Sequence, residues 1–283
     1  MSSPTAHSDL TTSLDGSETA DRARRFGGIA RLYGAPALAA FEAAHVAVIG
    51  IGGVGSWVAE ALARSAVGTL TLIDLDNVAE SNTNRQIHAL DGNYGKPKVE
   101  AMAERIAAIN PYCDVRLIED FVEPDNFAAT LGGGFDYVID AIDSVRTKTA
   151  LIAWCVERKQ PLITVGGAGG QLDPTRIRID DLALTIQDPL LSKVRAQLRK
   201  QHGFPRGPKA KFKVSAVYSD EPLIYPEVAA VDGDEEAEQV NTAPTGPVGL
   251  NCAGFGSSVC VTASFGFAAA AHVLRALGQQ AAA

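Results

Sequence analysis

Acids, amides and cations crowd one stretch of this 283-residue chain: Asp74-Leu-Asp76, Asn82-Thr-Asn84-Arg85-Gln86 and Gly95-Lys-Pro-Lys98. Arg85 and Lys98 can neutralise charge that builds on phosphates during a displacement, and Asn82 and Gln86 can fix phosphate oxygens through directed hydrogen bonds. Asp143, just past a strand carrying Asp140, can hold Mg²⁺ bound to such oxygens. It can equally cap the helix that follows. Each residue also has a plainer use: Asp76 as a turn acid, Asn82 and Asn84 in Asx turns, Arg85 and Lys98 as solvated surface charge. Their combination points to phosphate chemistry.

Such side chains need a scaffold that brings phosphates to them, and it lies immediately upstream. The apolar run His45-Val-Ala-Val-Ile49 leads into Gly50-Ile-Gly-Gly-Val-Gly55, a helical stretch follows, and a second strand, Thr69-Leu-Thr-Leu-Ile73, ends at Asp74. A strand running into glycines lets backbone N–H groups approach a phosphate where a Cβ would collide, and the next helix adds the partial positive charge of its N-terminus. Gly50, Gly52, Gly53 and Gly55 are therefore expected to line a phosphate loop, with Asp74 accepting from ribose hydroxyls. No Gly-x-x-x-x-Gly-Lys-Ser/Thr loop exists, which argues against a P-loop kinase. A nicotinamide-dependent oxidoreductase stays open on the glycines and Asp74, but its unreactive pyrophosphate has little use for Arg85 and Lys98.

From His45 to Val165 strands alternate with helices: a helix on Pro97–Ile109, strands at Val115–Ile118 and Tyr137–Ile139, a helix around Lys148–Val156 and a strand at Leu162–Val165. That order predicts an α/β fold, a Rossmann-like doubly wound, mostly parallel sheet. Beyond Gly170 the alternation loosens into short strands (Arg176–Ile179, Phe212–Tyr218), a helix near Pro189–Lys200 and an acidic loop at Asp232–Glu238. An appended C-terminal α/β lobe is expected there. The expected division is a disordered tail over 1–24, a nucleotide-binding domain with an N-terminal helical segment over 25–170 and a C-terminal lobe over 171–283.

With 46% apolar residues the chain can bury a substantial core, and a net charge of −8 argues against coating nucleic acid with the whole surface. Charge is uneven, however. Lys193 through Lys213 hold eight cations and no acid, and Arg206, Lys209, Lys211 and Lys213 form a stripe able to grip RNA phosphates. Four cysteines make no Cys-x-x-Cys pair, and no apolar signal follows Met1, so reduced thiols in the cytoplasm and no structural zinc are expected. The apolar stretch Val248–Leu277 is diluted by Gly254, Gly256 and several hydroxyls, so it reads as a buried helix, with peripheral membrane contact the alternative.

Gly-Ile-Gly-Gly-Val-Gly, Leu-Ile-Asp-Leu-Asp, Ser-Asn-x-Asn-Arg-Gln and Gly-Lys-Pro-Lys-Val-Glu resemble the successive nucleotide motifs of the ubiquitin-activating-enzyme superfamily. Its bacterial members adenylate a carboxylate with ATP. Arg25-Phe-Gly-Gly-Ile-Ala-Arg-Leu-Tyr-Gly34, Asn84-Arg-Gln-Ile-His-Ala-Leu90, Asp140-Ala-Ile-Asp-Ser-Val-Arg146, Gly166-Gly-Ala-Gly-Gly-Gln171 and Thr185-Ile-Gln-Asp-Pro189 are similar to one branch. That branch dehydrates threonylcarbamoyladenosine in tRNA.

The resemblance implies ATP as cofactor, with Asp76, Asn82, Arg85, Gln86 and Lys98 around the phosphates and Asp143 as the carboxylate holding Mg²⁺. It implies a homodimer in which an arginine before the first strand, Arg25 or Arg31, reaches the other subunit's site. A tRNA bearing threonylcarbamoyladenosine would be the substrate, and a cysteine desulfurase or its sulfur acceptor a partner. An activator of a small sulfur-carrier protein is the alternative within the superfamily; such activators usually carry paired Cys-x-x-Cys zinc ligands, which are missing from this chain. Cys252 and Cys260 lie in the apolar terminal stretch and read as packing residues.

Overall fold

The computed structural model describes residues 21–207, 209–225 and 255–281. Among the described residues seven strands form one sheet: β1 (His45–Ile49), β2 (Thr69–Ile73), β3 (Asp114–Ile118), β4 (Tyr137–Asp140), β5 (Leu162–Val165), β6 (Ile177–Asp181) and β7 (Ser215–Ser219). Their order is β3-β2-β1-β4-β5-β7-β6, with every pairing parallel except that of β6 with β7. Val46 to Ile49 and all of β4 and β5 are buried, as expected of parallel strands covered on both faces. The edge strand β3 instead exposes Asp114 and Arg116, whose charges oppose further strand pairing.

Helices α1 (Arg22–Tyr33) and α2 (Ala35–Ala43) precede the sheet. The crossovers between parallel strands are α3 (Gly55–Arg64), α4 (Lys98–Ile109), the short α5 (Phe127–Leu131) and α6 (Val145–Glu157), and α7 (Pro189–Gln201) joins the antiparallel neighbours β6 and β7. The terminal helix α8 (Val259–Gln280) packs against α3 and α2. One face of the sheet carries a core including Phe41, Leu62, Leu72, Met102 and Phe265, and the other one including Phe127, Leu151, Leu191 and Leu198. Each such side chain contributes about 1.5–3 kcal/mol on full burial. The α8–α3 crossing depends on Gly266, where a Cβ would stand 2.7 Å from the Val54 carbonyl oxygen and 2.9 Å from Trp57 Cβ.

The expected alternation is present, and most of its deviations have local causes. Helix α6 starts three residues earlier than expected because Ser144 caps it, accepting from the Thr147 N–H. Strand β7 starts at Ser215 rather than Phe212. The N–H groups of Phe212 and Lys213 are spent on the Asp181 carboxylate, and Lys213 sits at φ +59°, off the strand conformation. Arg176 lies in a single tight turn capped by Asp173, so β6 begins one residue later. The residues after Gly170 supply α7 and α8 and extend the sheet of the first half by two strands. Helix α1 starts at Arg22, with Asp21 as its cap. The tail up to residue 20, the acidic loop at 232–238, residues 248–254 with Cys252, and residues 282–283 lie outside the described residues.

Candidate nucleotide site

Sheet order reverses at β1, whose neighbours β2 and β4 carry the chain away on opposite sides, and the crevice beyond these carboxyl ends is where open α/β sheets take ligands. A cleft of about 550 Å³ occupies this place. Gly50 makes the turn possible: φ is +87°, and a Cβ there would lie 2.9 Å from the Ala141 carbonyl oxygen. At Gly55 a Cβ would fall 1.7 Å from the Gly50 oxygen, so only glycine lets α3 start so close to the strand end. The N–H groups of Gly52, Gly53 and Val54 donate to no acceptor among the described residues. These are the donors a phosphate would take up.

Asp74 closes β2 and is tied to the turn. Its Oδ2 accepts from the Ile51 N–H at 2.6 Å, and its Oδ1 from the Asp76 N–H at 2.9 Å. Burial pushes this carboxyl above the ordinary value, while Lys98 and the two N–H groups pull it back. Each oxygen keeps a further lone pair for a ribose hydroxyl. The Lys98 side chain is only 7% exposed, with its Nζ 2.7 Å from Asp76 Oδ2 and 4.0 Å from Asp74 Oδ1. Asp76 is thus the lysine's ion-pair partner.

Asn82 builds the next turn. Its Oδ1 accepts from the Ala79 N–H, and its carbonyl accepts from the N–H groups of Arg85 and Gln86. Arg85 lays its aliphatic stem on the glycine turn, so that a Cβ at Gly53 would come within 3.2 Å of its Cγ. Its guanidinium donates to the Ser81 carbonyl and to Asn84 Oδ1. Gln86 is buried in the cleft wall beside Gly52, and its Oε1 has no partner among the described residues. Asp143 lines the cleft from the other side, exposed; with Ser144 as the α6 cap, its carboxylate has no hydrogen-bond partner among the described residues.

Arg25 and Arg31 are not in this chain's own cleft. Arg25 donates to the carbonyls of Ala108 and Ile109, at the C-terminal end of α4, whereas the exposed Arg31 lies along α1 beside Gly27 and Gly28. The basic stripe sits elsewhere too. Lys209, Lys211 and Lys213 precede the first residue of β7, a strand parallel to β5, so they lie at the sheet edge opposite the cleft. Lys193, Lys200 and Arg206 are exposed, whereas Arg195 bonds Thr185 Oγ1 and Arg199 stacks on the Phe212 ring. The sequence reading missed Thr262 of α8, a buried cleft-lining hydroxyl without a partner among the described residues. Some 180 residues separate it from Arg85, and no local pattern announces it. Burial pushes the Cys113 and Cys155 thiols up to about 12, which makes both poor nucleophiles.

A glycine turn at the switch point of a doubly wound sheet, flanked by two cations, defines a nucleotide-binding α/β protein. The model of the ThiF family matches residues 27–282, and the chain belongs to that family. It is 53% identical to the tRNA threonylcarbamoyladenosine dehydratase of Escherichia coli over 92% of this chain and 95% of that protein. The enzyme of the same name from Haemophilus influenzae is likewise 53% identical, over 89% and 92%. The crystal structure of the Escherichia coli dehydratase in complex with ATP superposes with a TM-score of 0.81 at 51% identity, covering 92% of this chain and 96% of that one.

Proposed function

We propose that this protein dehydrates threonylcarbamoyladenosine in tRNA, using ATP to activate the carboxylate. The carrying observation is the convergence of Arg85, the buried Lys98 and the unpaired N–H groups of the glycine turn on one cleft. A carboxylate resists attack because its leaving group would be oxide. When the threonyl carboxylate oxygen attacks the α-phosphorus of ATP, pyrophosphate leaves and an acyl-adenylate forms. The ureido group next door then attacks the acyl carbon, the ring closes, and the former carboxylate oxygen departs on AMP. Attacking and attacked atoms belong to one molecule, so proximity replaces a protein nucleophile.

In this reading Gly50, Gly52, Gly53 and Gly55 shape the phosphate turn and Asp74 holds the ribose. Arg85 and Lys98 stabilise charge on the departing pyrophosphate, Asn82 fixes the turn that presents Arg85, and Gln86 offers its amide to an oxygen. Asp76 holds Lys98 until the triphosphate displaces it. Mg²⁺ fits this donor set: it is commonly bound by one or two carboxylates together with substrate phosphates, and Asp143 is a free carboxylate on the cleft wall. When bound, the ion would neutralise phosphate charge. The enzyme acts as a homodimer with Arg31 directed at the partner's cleft, in the cytoplasm, without structural zinc, and accepts a cysteine desulfurase or its sulfur acceptor as a partner. Helix α8 is long and apolar enough to cross a membrane, but half of its most apolar window is buried in the fold, which favours a core role over a lipid contact.

The stripe of Arg206, Lys209, Lys211 and Lys213 holds tRNA phosphates away from the reacting nucleoside. The deciding experiment incubates the protein with ATP, magnesium and threonylcarbamoylated tRNA and weighs the nucleoside. Loss of one water is expected. Pyrophosphate exchange that needs a small carrier protein and no tRNA would instead establish the sulfur-carrier reading, and nicotinamide binding without triphosphate cleavage the oxidoreductase one.

A further inference from the structure

Beneath the cleft floor lies a charged pair that the chemistry above does not use. Lys148 and Asp140 are both 0% exposed, with Nζ and Oδ2 2.8 Å apart. Lys148 Nζ also donates to the Asp140 carbonyl at 3.3 Å and to Thr164 Oγ1 at 3.0 Å, and the Thr164 hydroxyl donates to Asp140 Oδ2 at 2.7 Å. One lysine from α6 thereby ties the last residue of β4 to the adjacent strand β5. The second oxygen of Asp140 reaches forward into the exit turn, where Oδ1 accepts from the Ile142 N–H at 3.1 Å. The next residue is Asp143. A similar device holds the neighbouring turn: buried Asp188 accepts from the Gly167 N–H at 2.9 Å, and Gly166 and Gly167 line the cleft.

A buried ion pair is weak evidence for stability, because apolar residues of similar volume often do as well. What apolar residues cannot do is fix a turn through directed bonds. We infer that Lys148 is a positioning residue: through Asp140 it sets the β4 exit turn so that the Asp143 carboxylate faces the cleft. This rests on the proposed role of Asp143. Lys148 itself touches neither nucleotide nor substrate. Its removal therefore unsettles one wall of the cleft, whereas the glycine turn, although it packs on Ala141, keeps the bonds that tie it to β2, from the Gly50 N–H to the Ile73 carbonyl and from the Ile51 N–H to Asp74.

The test uses the full-length protein with Lys148→Met and, because a lone buried carboxylate can block folding, the double variant Lys148→Met/Asp140→Asn, which retains an acceptor for the Ile142 N–H while both charges go. Hydrogen exchange is read for the 141–144 turn and for the 50–55 turn, and the thermal shift is measured with ATP in chelator and with ATP plus magnesium. In Lys148→Met we expect exchange in 141–144 to rise at least tenfold, that in 50–55 to stay put, the shift with metal-free ATP to persist, and turnover to fall about 100-fold, as for a small misplacement of a reacting assembly. The double variant should recover part of the 141–144 protection. Unchanged exchange in 141–144, or equal loosening of both turns, overturns the inference. If Lys148→Met does not fold, the double variant decides: 141–144 protection equal to wild type overturns the inference, and a selective loss sustains it. Asp143→Ala run alongside separates the two claims: if it keeps the full magnesium increment, the metal assignment fails, and the exchange data still judge Lys148.

Discussion

Lys98 Nζ lies 2.7 Å from Asp76 Oδ2, and both residues line the nucleotide cleft. The lysine is held by an acid that is itself 62% exposed, so a triphosphate can take the cation over while Asp76 turns to water. Lys98 also stands 4.0 Å from Asp74, the buried carboxyl.

Replacing Lys98 with Ala removes a preorganised donor from the triphosphate. Loss of one such group costs about 10²–10³ in turnover. Saturating-ATP kinetics of Lys98→Ala should show that drop, with Lys98→Arg only partly restoring it because a planar fork does not reproduce a point charge. Wild-type turnover in Lys98→Ala would remove the lysine from the chemistry.

Two glycines of one turn should fail in different ways. Gly55→Ala drives a Cβ into the Gly50 carbonyl at 1.7 Å, backbone against backbone, and should destabilise the fold by about 1–3 kcal/mol or more. Gly53→Ala meets only the flexible Arg85 stem at 3.2 Å. It should retain nearly the wild-type melting temperature and lose ATP affinity, because the arginine must move and the phosphate approach is filled. Calorimetric melting and ATP titration of both variants separate the effects.

His88 couples the turn to pH. It is buried, its Nε2 lies 2.8 Å from the Ile51 carbonyl oxygen, and burial holds the imidazole below its ordinary value of 6.5. The unfolded chain therefore takes up this proton first as pH falls. The stability His88 provides is fully present above about 6.5 and is lost as pH drops through the lower folded value. Denaturant unfolding at about pH 7, 6 and 5 should show a steeper loss in the wild type than in His88→Gln. His45 and His272 are lowered too, but they titrate in both proteins and cancel in the difference.

Reversal of Lys209, Lys211 and Lys213 to Glu should weaken tRNA binding and flatten its salt dependence by about one unit of slope per lost phosphate contact. Because these residues stand at the sheet edge opposite the cleft, ATP affinity should not change. An unaltered tRNA salt slope would dismiss the stripe as an RNA surface.

The nucleotide half was legible because its signals are local. Apolar runs ending in glycine or acid mark β1 and β2, and the cations of the next loop follow within 25 residues of Asp74. Three features were not. The start of β7 turns on Asp181 capturing two N–H groups from 31 and 32 residues away. Thr262 reaches the cleft only because α8 folds back over α3. The stripe was visible as charge, but which edge of the sheet it occupies depends on the direction of β7, which spacing does not encode.

Helix α8 supplies both the lid of one core and a wall of the cleft, although it is the last of the described elements. On the ribosome, the glycine turn and its cations therefore emerge well before the helix against which α3 must rest. The pocket is consequently completed late in the life of a nascent molecule, and a chain cut short before residue 259 would leave α3 with a bare apolar flank and the cleft without Thr262.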